Sequence, residues 1–142
     1  MASMISVKEL TKLVREEVPS IAETGVIFES IASGTARARL PFDPSSLRPG
    51  ATVSGPTMMG LADIVTFACV LSKIGIVRDA VTTSLNANFL RKPGAVDLIA
   101  EGRLIKCGRR LAYGEVSIFG ENNLDDVVWH VVCTNAIPSE KG

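Results

Sequence analysis

The sequence predicts an α+β domain in which one long central helix is wrapped by a curved antiparallel sheet of five to six strands. Three observations carry this expectation. The stretch SGPTMMGLADIVTFACVL (54–71) is apolar on nearly every side, and such a helix has to be covered on nearly every side. Strand-like segments follow it, joined by turns too short for parallel crossovers. Two more precede it, meeting at a Ser-Gly turn. A sheet curved around the helix satisfies all three.

The elements follow in order. Ser6-Val7-Lys8-Glu9 has the pattern of a capping box, with Ser6 as N-cap and Glu9 reaching back to it. Leu10, Leu13, Val14 and Val18 then repeat at helical spacing, and Pro19 is expected to end this short amphipathic helix. Residues 1–24 thus form a helical lead-in lying on the body of the domain. GVIFESIASGTARARL (25–40) holds two alternating runs about Ser33-Gly34, the pattern of a β-hairpin. Thr35, Arg37 and Arg39 point to one face, and Ala36, Ala38 and Leu40 to the other. PFDPSSLRPGATVSGP (41–56) carries four prolines and two glycines and is expected to be a loop, long enough to be functional. Pro56 suits the first turn of the central helix, Ser54 or Gly55 its N-cap, and Gly75 its end after Lys73 or Ile74. AVTTSLNANFL (80–90) alternates, with Val81, Thr83, Leu85, Ala87 and Phe89 on one face. VDLIAEGRLIKCG (96–108) and RRLAYGEVSIFG (109–120) form a hairpin turning near Cys107-Gly108. VVWHVVCTNAI (127–137) is a last strand rich in β-branched residues.

No repeat or composition shift divides the 142 residues, so the chain is expected to be one domain, 1–142. With 46% hydrophobic residues it needs neither disulfide nor metal to build a core. Lys plus Arg and Asp plus Glu are both 15, and a chain of zero net charge is a poor candidate for nucleic acid. Cys69, Cys107 and Cys133 are far apart and accompany a single His, which gives no zinc-ligand spacing. Reduced thiols in a cytoplasmic protein are expected instead. The start MASMISVKELTK has no signal-peptide pattern. The stretch 55–77 is the one membrane candidate, and Asp63, Lys73 and its Gly and Thr content count against it.

Asp63 is the anomaly. Its helical neighbours at three and four residues are Met59, Gly60, Thr66 and Phe67, none of them charged. A carboxylate among them either lines a cleft or costs several kcal/mol of desolvation. Just upstream, a glycine at a helix N-terminus offers backbone N–H groups and the positive end of the helix dipole, a suitable receptor for an oxyanion. A carboxylate two turns on can attack a carbonyl or activate water.

RPGATVSGPTMMGLADIVTFA, then VTTSLNANFLRKP, then LIKCGRRLAYGEVSIF, resembles the hot-dog-fold acyl-CoA thioesterases over Ile27 to Ile137, and within them the PaaI-like branch that acts on phenylacetyl-CoA. The resemblance implies an acyl-CoA thioesterase yielding free acid and CoA, without metal or redox cofactor. It implies a homodimer, or a homotetramer of two such dimers, with sites at the dimer interface. Asp63 takes the place of the helix carboxylate acting as nucleophile or general base. Gly55 takes that of the oxyanion donor, and Thr82 that of a site-lining hydroxyl supplied by the partner subunit. Arg91, Lys92, Lys106, Arg109 and Arg110 fall where the family contacts CoA, although charges at turns also serve solubility alone, and Arg48 is a further candidate because it lies just ahead of the loop that leads into the helix. The family's His-Gly-Gly is here Ser54-Gly55-Pro56. Ser54 can hydrogen-bond but not carry charge, and Pro56 has no N–H, so Gly55 must be the main donor, aided by Thr57.

Two rivals follow. A hydratase of the same fold would need an Asp and a His together, and the one His, His130, lies in the last strand as a packing or surface residue. A weak or inactive acyl-CoA-binding protein is the stronger alternative, given Ser54. Met58 and Met59 either shape an acyl pocket or belong to the core.

Overall fold

The computed structural model describes residues 2–48 and 52–138. Helix α1 (Val7–Glu17) starts as its sequence dictates. The Glu9 N–H donates to Ser6 Oγ at 3.0 Å and the Ser6 N–H to Glu9 Oε1 at 3.0 Å, so two otherwise unpaired donors are satisfied reciprocally. Leu10, Leu13 and Val14 form its buried face. Pro19 does more than end this helix: it opens a second short one, α2 (Pro19–Ala22), at a position where its missing N–H costs nothing.

Strands β1 (Ile27–Ala32) and β2 (Thr35–Leu40) form the expected hairpin, with Gly34 supplying the positive φ of 82° at its turn. Ala36, Ala38 and Leu40 are buried as the alternation predicts. The segment expected to be a loop contains a short ladder, β3 (Leu47–Arg48) against β4 (Thr52–Val53). Prolines at 41, 44, 49 and 56 withhold N–H donors on both sides, which fits a ladder this short.

Helix α3 (Gly55–Ile74) is capped by Ser54 and stopped at Gly75, whose φ is 88°. Strands β5 (Val81–Phe89), β6 (Leu98–Cys107), β7 (Leu111–Gly120) and β8 (Asn123–Ala136) complete one six-stranded sheet, ordered β1-β2-β6-β7-β8-β5 and antiparallel throughout. β8 begins earlier than the apolar run suggested, because Asn123 already pairs with Gly120 of β7, with an irregularity before Val127 pairs with Phe119. By length and composition α3 could cross a membrane. Here it lies against the sheet, with Leu61, Ala62, Val65, Ala68 and Cys69 in one core with Ala38, Ala100, Val116, Ile118 and Val131.

The helix and sheet meet at bare backbone. A Cβ on Gly102 of β6 would stand 2.6 Å from Val65 Cγ1 and 3.1 Å from Cys69 Sγ. The opposite face of the sheet carries a charge ladder. Arg37 pairs with Glu29 at 3.0 Å and Glu101 at 2.5 Å, and Arg39 with Glu29 and Asp97 at 3.0 Å and Glu121 at 2.7 Å. Asp97 also accepts the Phe42 N–H at 2.7 Å.

Two outcomes are expected. Gly102→Ala costs about 1–3 kcal/mol of stability by overpacking, measured by chemical denaturation. The Phe42 N–H, and then Arg39, hold the Asp97 carboxyl below the ordinary carboxylate range. A depressed value stabilises the fold above the unfolded value of about 4 and the contribution disappears as pH falls through the folded one. Denaturation of Asp97→Asn across an acid pH series therefore shows a shallower acid loss than wild type, starting from a lower stability at neutral pH.

Candidate active site

Along α3 the sheet leaves one seam uncovered. Pro56, Met59 and Asp63 are exposed there, with Gly60 and Phe67 half-buried beside them. Spacings of three and four residues make this a single stripe. The carboxylate that looked awkward in an apolar helix therefore sits in solvent within one chain, and the expected desolvation cost is not incurred.

Among the described residues Asp63 has one side-chain hydrogen-bond partner: Thr82 Oγ1 donates to its Oδ1. The resemblance implied that this hydroxyl comes from a partner subunit. Here the same chain supplies both groups. Thr82 reaches α3 because β5 carries an irregularity between Thr82 and Ser84. Thr82 stands opposite Asn135, and after the extra residue Leu85, Ala87 and Phe89 stand opposite Cys133, Val131 and Trp129. Directly opposed residues share a face, so Thr82 joins Leu85, Ala87 and Phe89 on the helix side, not Val81 and Thr83 as strict alternation suggested. This is the usual work of a β-bulge, which re-aims one side chain.

Behind Thr82 lies a buried polar cluster that sequence reasoning did not single out. Thr82 Oγ1 is 3.2 Å from Asn135 Oδ1 and 3.9 Å from Cys133 Sγ, and Cys133 Sγ is 3.8 Å from Asn135 Oδ1. Asn135 is 1% exposed. The signal available was an Asn on the buried face of a strand otherwise built of Val, Trp and Cys. Burial pushes the Cys133 thiol up, and the Asp63 charge adds to this. Burial takes Cys69 to about 12. Neither is a thiolate at neutral pH.

At the helix start, Ser54 Oγ accepts the Thr57 N–H at 3.4 Å and meets the Thr57 hydroxyl at 2.8 Å. Thr57 is thus committed to the cap and does not offer its N–H as a second donor. The Met58 N–H donates to the Ser54 carbonyl at 3.2 Å. The Gly55 N–H has no acceptor among the described residues. A cavity of about 470 Å³ opens beside it, with Phe89, Leu90, Arg91, Lys92 and the buried Met58 in its walls. Phe89 closes over Gly55, where a Cβ would stand 3.2 Å from its Cζ, and its ring lies 4.9 Å from that of Trp129.

The remaining candidates are distributed differently. Arg91 and Lys92 share the Gly55 cavity, Arg91 paired with Asp126. Lys106, Arg109 and Arg110 lie at the other end of α3. There Ile137 bonds the Arg110 carbonyl at 2.8 Å, and Val70, Ala80, Ala112 and Ile137 pack together. One chain does not bring these two basic groups to one place. The backbone of Arg48 pairs with Thr52, and its side chain lies outside the described part of the structure. His130 is half-buried away from Asp63, its Nε2 3.3 Å from Glu115. Among the described residues no group of three or more His, Cys, Asp and Glu is placed to hold a metal.

A long helix in the curve of this sheet, with a carboxylate on its open seam, is the arrangement of a hot-dog thioesterase. Residues 50–126 match the thioesterase superfamily, and the chain belongs to that family. A candidate thioesterase of Silicibacter sp. is 35% identical, covering 97% of this chain and 95% of that one, with a TM-score of 0.85. A candidate esterase of Saccharolobus solfataricus is 29% identical over 85% of this chain and 80% of its own length. The phenylacetic acid degradation protein PaaI of Thermus thermophilus, in a mutant form, shares the fold with a TM-score of 0.74, 21% identical over 84% of this chain and 99% of that one. The family match and the 35% identical candidate thioesterase support a hydrolase acting on thioesters.

Trp129 is the chain's single tryptophan and reports on the Phe89 contact. Gly55→Ala is expected to push Phe89 off its seat and change the Trp129 fluorescence and near-ultraviolet circular dichroism, while the far-ultraviolet spectrum stays that of wild type.

Proposed function

We propose that the protein hydrolyses an acyl-CoA thioester to the free acid and CoA in a site shared by two copies of the chain. The observation that carries this reading is the Asp63–Thr82 pair on the uncovered seam of α3. A carboxylate held by one hydroxyl and open to solvent keeps an oxygen for a substrate. It either attacks the thioester carbonyl, forming an anhydride as the C–S bond breaks and the thiolate leaves, or takes the proton of a water that attacks instead. In the first route water then cleaves the anhydride and restores Asp63. The Gly55 N–H, at the positive end of the helix, receives the oxyanion.

A second copy is needed on distance. Gly55 and Asp63 are eight residues apart, which is about 12 Å along a helix. Reacting atoms must come within about 3–3.5 Å, and no single carbonyl spans such a gap. A two-fold pairing of antiparallel helices would bring one copy's Gly55 to the other's Asp63. The free edge of β5 supports this: it pairs with β8 on one side only, and its ends Val81 and Phe89 are 57% and 58% exposed. Arg91 and Lys92 beside Gly55 suit the CoA phosphates. Lys106, Arg109 and Arg110 can join them only from the other copy, whose opposite end the same pairing would bring near.

The runner-up is an acyl-CoA-binding protein with little or no turnover, favoured by one observation: Pro56 has no N–H and Thr57 has spent its own, leaving a single oxyanion donor. Release of thiol from a panel of aromatic, medium-chain and hydroxylated acyl-CoA esters decides between them. Tight binding without release across the panel would sink the enzyme.

With a turned-over ester in hand, Asp63→Asn is expected to lower kcat roughly 10²–10⁴-fold with an unchanged circular dichroism spectrum. Gly55→Pro removes the oxyanion donor, and it too is expected to be inactive. Mixed and re-annealed, the two inactive chains should recover activity, because each mixed dimer holds one intact Gly55–Asp63 pair. Recovery would not occur if each chain built its own site.

A further inference from the structure

We infer that Asn135 is a positioning residue for this reaction: its side-chain amide donates to Thr82 and so commits the Thr82 hydroxyl proton to Asp63. The inference rests on the catalytic reading of Asp63 given above.

The Thr82 hydroxyl has one proton and two oxygens within reach of it, Asp63 Oδ1 and Asn135 Oδ1, the latter at 3.2 Å. One proton cannot serve both. The bond to the ionised carboxylate is charge-assisted and the stronger of the two, so the proton goes to Asp63. The Asn135 oxygen would then face the Thr82 oxygen with no hydrogen between them, in a site where Asn135 is 1% exposed. Two lone-pair oxygens in contact at that depth are unfavourable. A half-turn of the amide removes the conflict at no cost in volume, since oxygen and NH2 are nearly the same size. The nitrogen then stands where it can donate to Thr82 Oγ1 and to Cys133 Sγ, 3.8 Å away.

In that arrangement the donors run one way, from the Asn135 N–H to Thr82 and from the Thr82 O–H to Asp63. Chains of this kind strengthen their members cooperatively. Asn135 stands opposite Thr82 across the irregular stretch of β5, so the strand pairing itself fixes the first link. The Asp63 carboxylate is otherwise free to rotate on an exposed seam. A hydroxyl held from behind leaves it one orientation, with Oδ2 turned to the substrate. Asn135 touches no substrate in this scheme and acts only through Thr82.

A double-mutant cycle on the turned-over ester tests this. Asn135→Leu keeps the volume and removes the donor, and Thr82→Val does the same at the second link. Asn135→Leu is expected to lower kcat roughly tenfold with KM within about twofold of wild type. The double variant should be no slower than Thr82→Val alone, because the amide has nothing to act on once the hydroxyl is gone. Multiplicative losses, or wild-type kcat in Asn135→Leu, would overturn the inference. A wild-type kcat in Thr82→Val would overturn the inference too, whereas a wild-type kcat in Asp63→Asn would overturn the catalytic reading, so the two failures are distinguishable. Should Asn135→Leu fail to fold, nuclear magnetic resonance of the Asn135 side-chain NH2 decides. Its proton shifts are expected to move in Thr82→Val, and shifts unmoved by that substitution would show that the nitrogen does not face Thr82.

Discussion

The contact between α3 and the bare backbone of Gly102 is the constraint from which the rest of the molecule follows. Val65 and Cys69 come so close to β6 that no side chain fits between them. Each apolar side chain buried in such an interface contributes about 1.5–3 kcal/mol, and α3 commits residues from Met58 to Leu71 to it. A helix drawn this tightly into the curve of a sheet is covered on all but one stripe. That stripe is Pro56, Met59 and Asp63. The core therefore fixes the position of the carboxylate, and a change at Gly102 would reach the site by rotating or lifting the whole helix.

Bringing Asp63 to a seam is half of the arrangement, and the irregularity in β5 is the other half. In a strand of unbroken alternation Thr82 could not share a face with Leu85 and Phe89. The extra residue lets one short segment serve both the start and the middle of the helix: Phe89 closes over Gly55, and Thr82, seven residues earlier, meets Asp63. The same strand is the free edge of the sheet. Its inward side chains complete the site of one chain, while its unpaired backbone offers the surface a second chain would need.

Most of the fold was legible because it is written in periodicities that tertiary contacts reinforce. The capping box at Ser6, the alternation of Ala36, Ala38 and Leu40, and the Gly75 stop each follow from local chemistry, and each stands where the sequence put it. The failures share a cause. An irregular residue in β5 leaves no local signature, since Thr82 and Thr83 are equally good strand residues and only pairing with β8 tells them apart. Asn135 was invisible for a related reason: its role depends on what β5 places opposite it. Pro19 was ambiguous, because the property that ends one helix suits it to start another. Asp63 was legible as an anomaly, but its exposure was not, since that depends on where the sheet stops.

The helix N-terminus can be argued further by accounting for its donors. An α-helix begins with four backbone positions whose N–H groups have no partner inside the helix. In α3 these are Ser54 to Thr57, since the Met58 N–H already makes the first helical bond to the Ser54 carbonyl, and Thr57 donates to the Ser54 hydroxyl. Pro56 has nothing to donate. Of the helical residues Gly55 to Thr57, Gly55 alone keeps an N–H without an acceptor among the described residues, and it lines the cavity that Arg91 and Lys92 share. In the proposed reaction the departure from His-Gly-Gly therefore would not dismantle the oxyanion receptor but reduce it to one donor, beside a cap closed by the Ser54–Thr57 bonds. A single charge-assisted bond to a developing oxyanion is worth about 2.7–4 kcal/mol where such donors have been removed elsewhere. A second donor, had Pro56 been glycine, would add to that only if it pointed at the same atom. In the proposed reaction the replacement would lower stabilisation of the transition state, and its effect would fall on kcat more than on affinity for CoA, which the basic residues outside the helix would set.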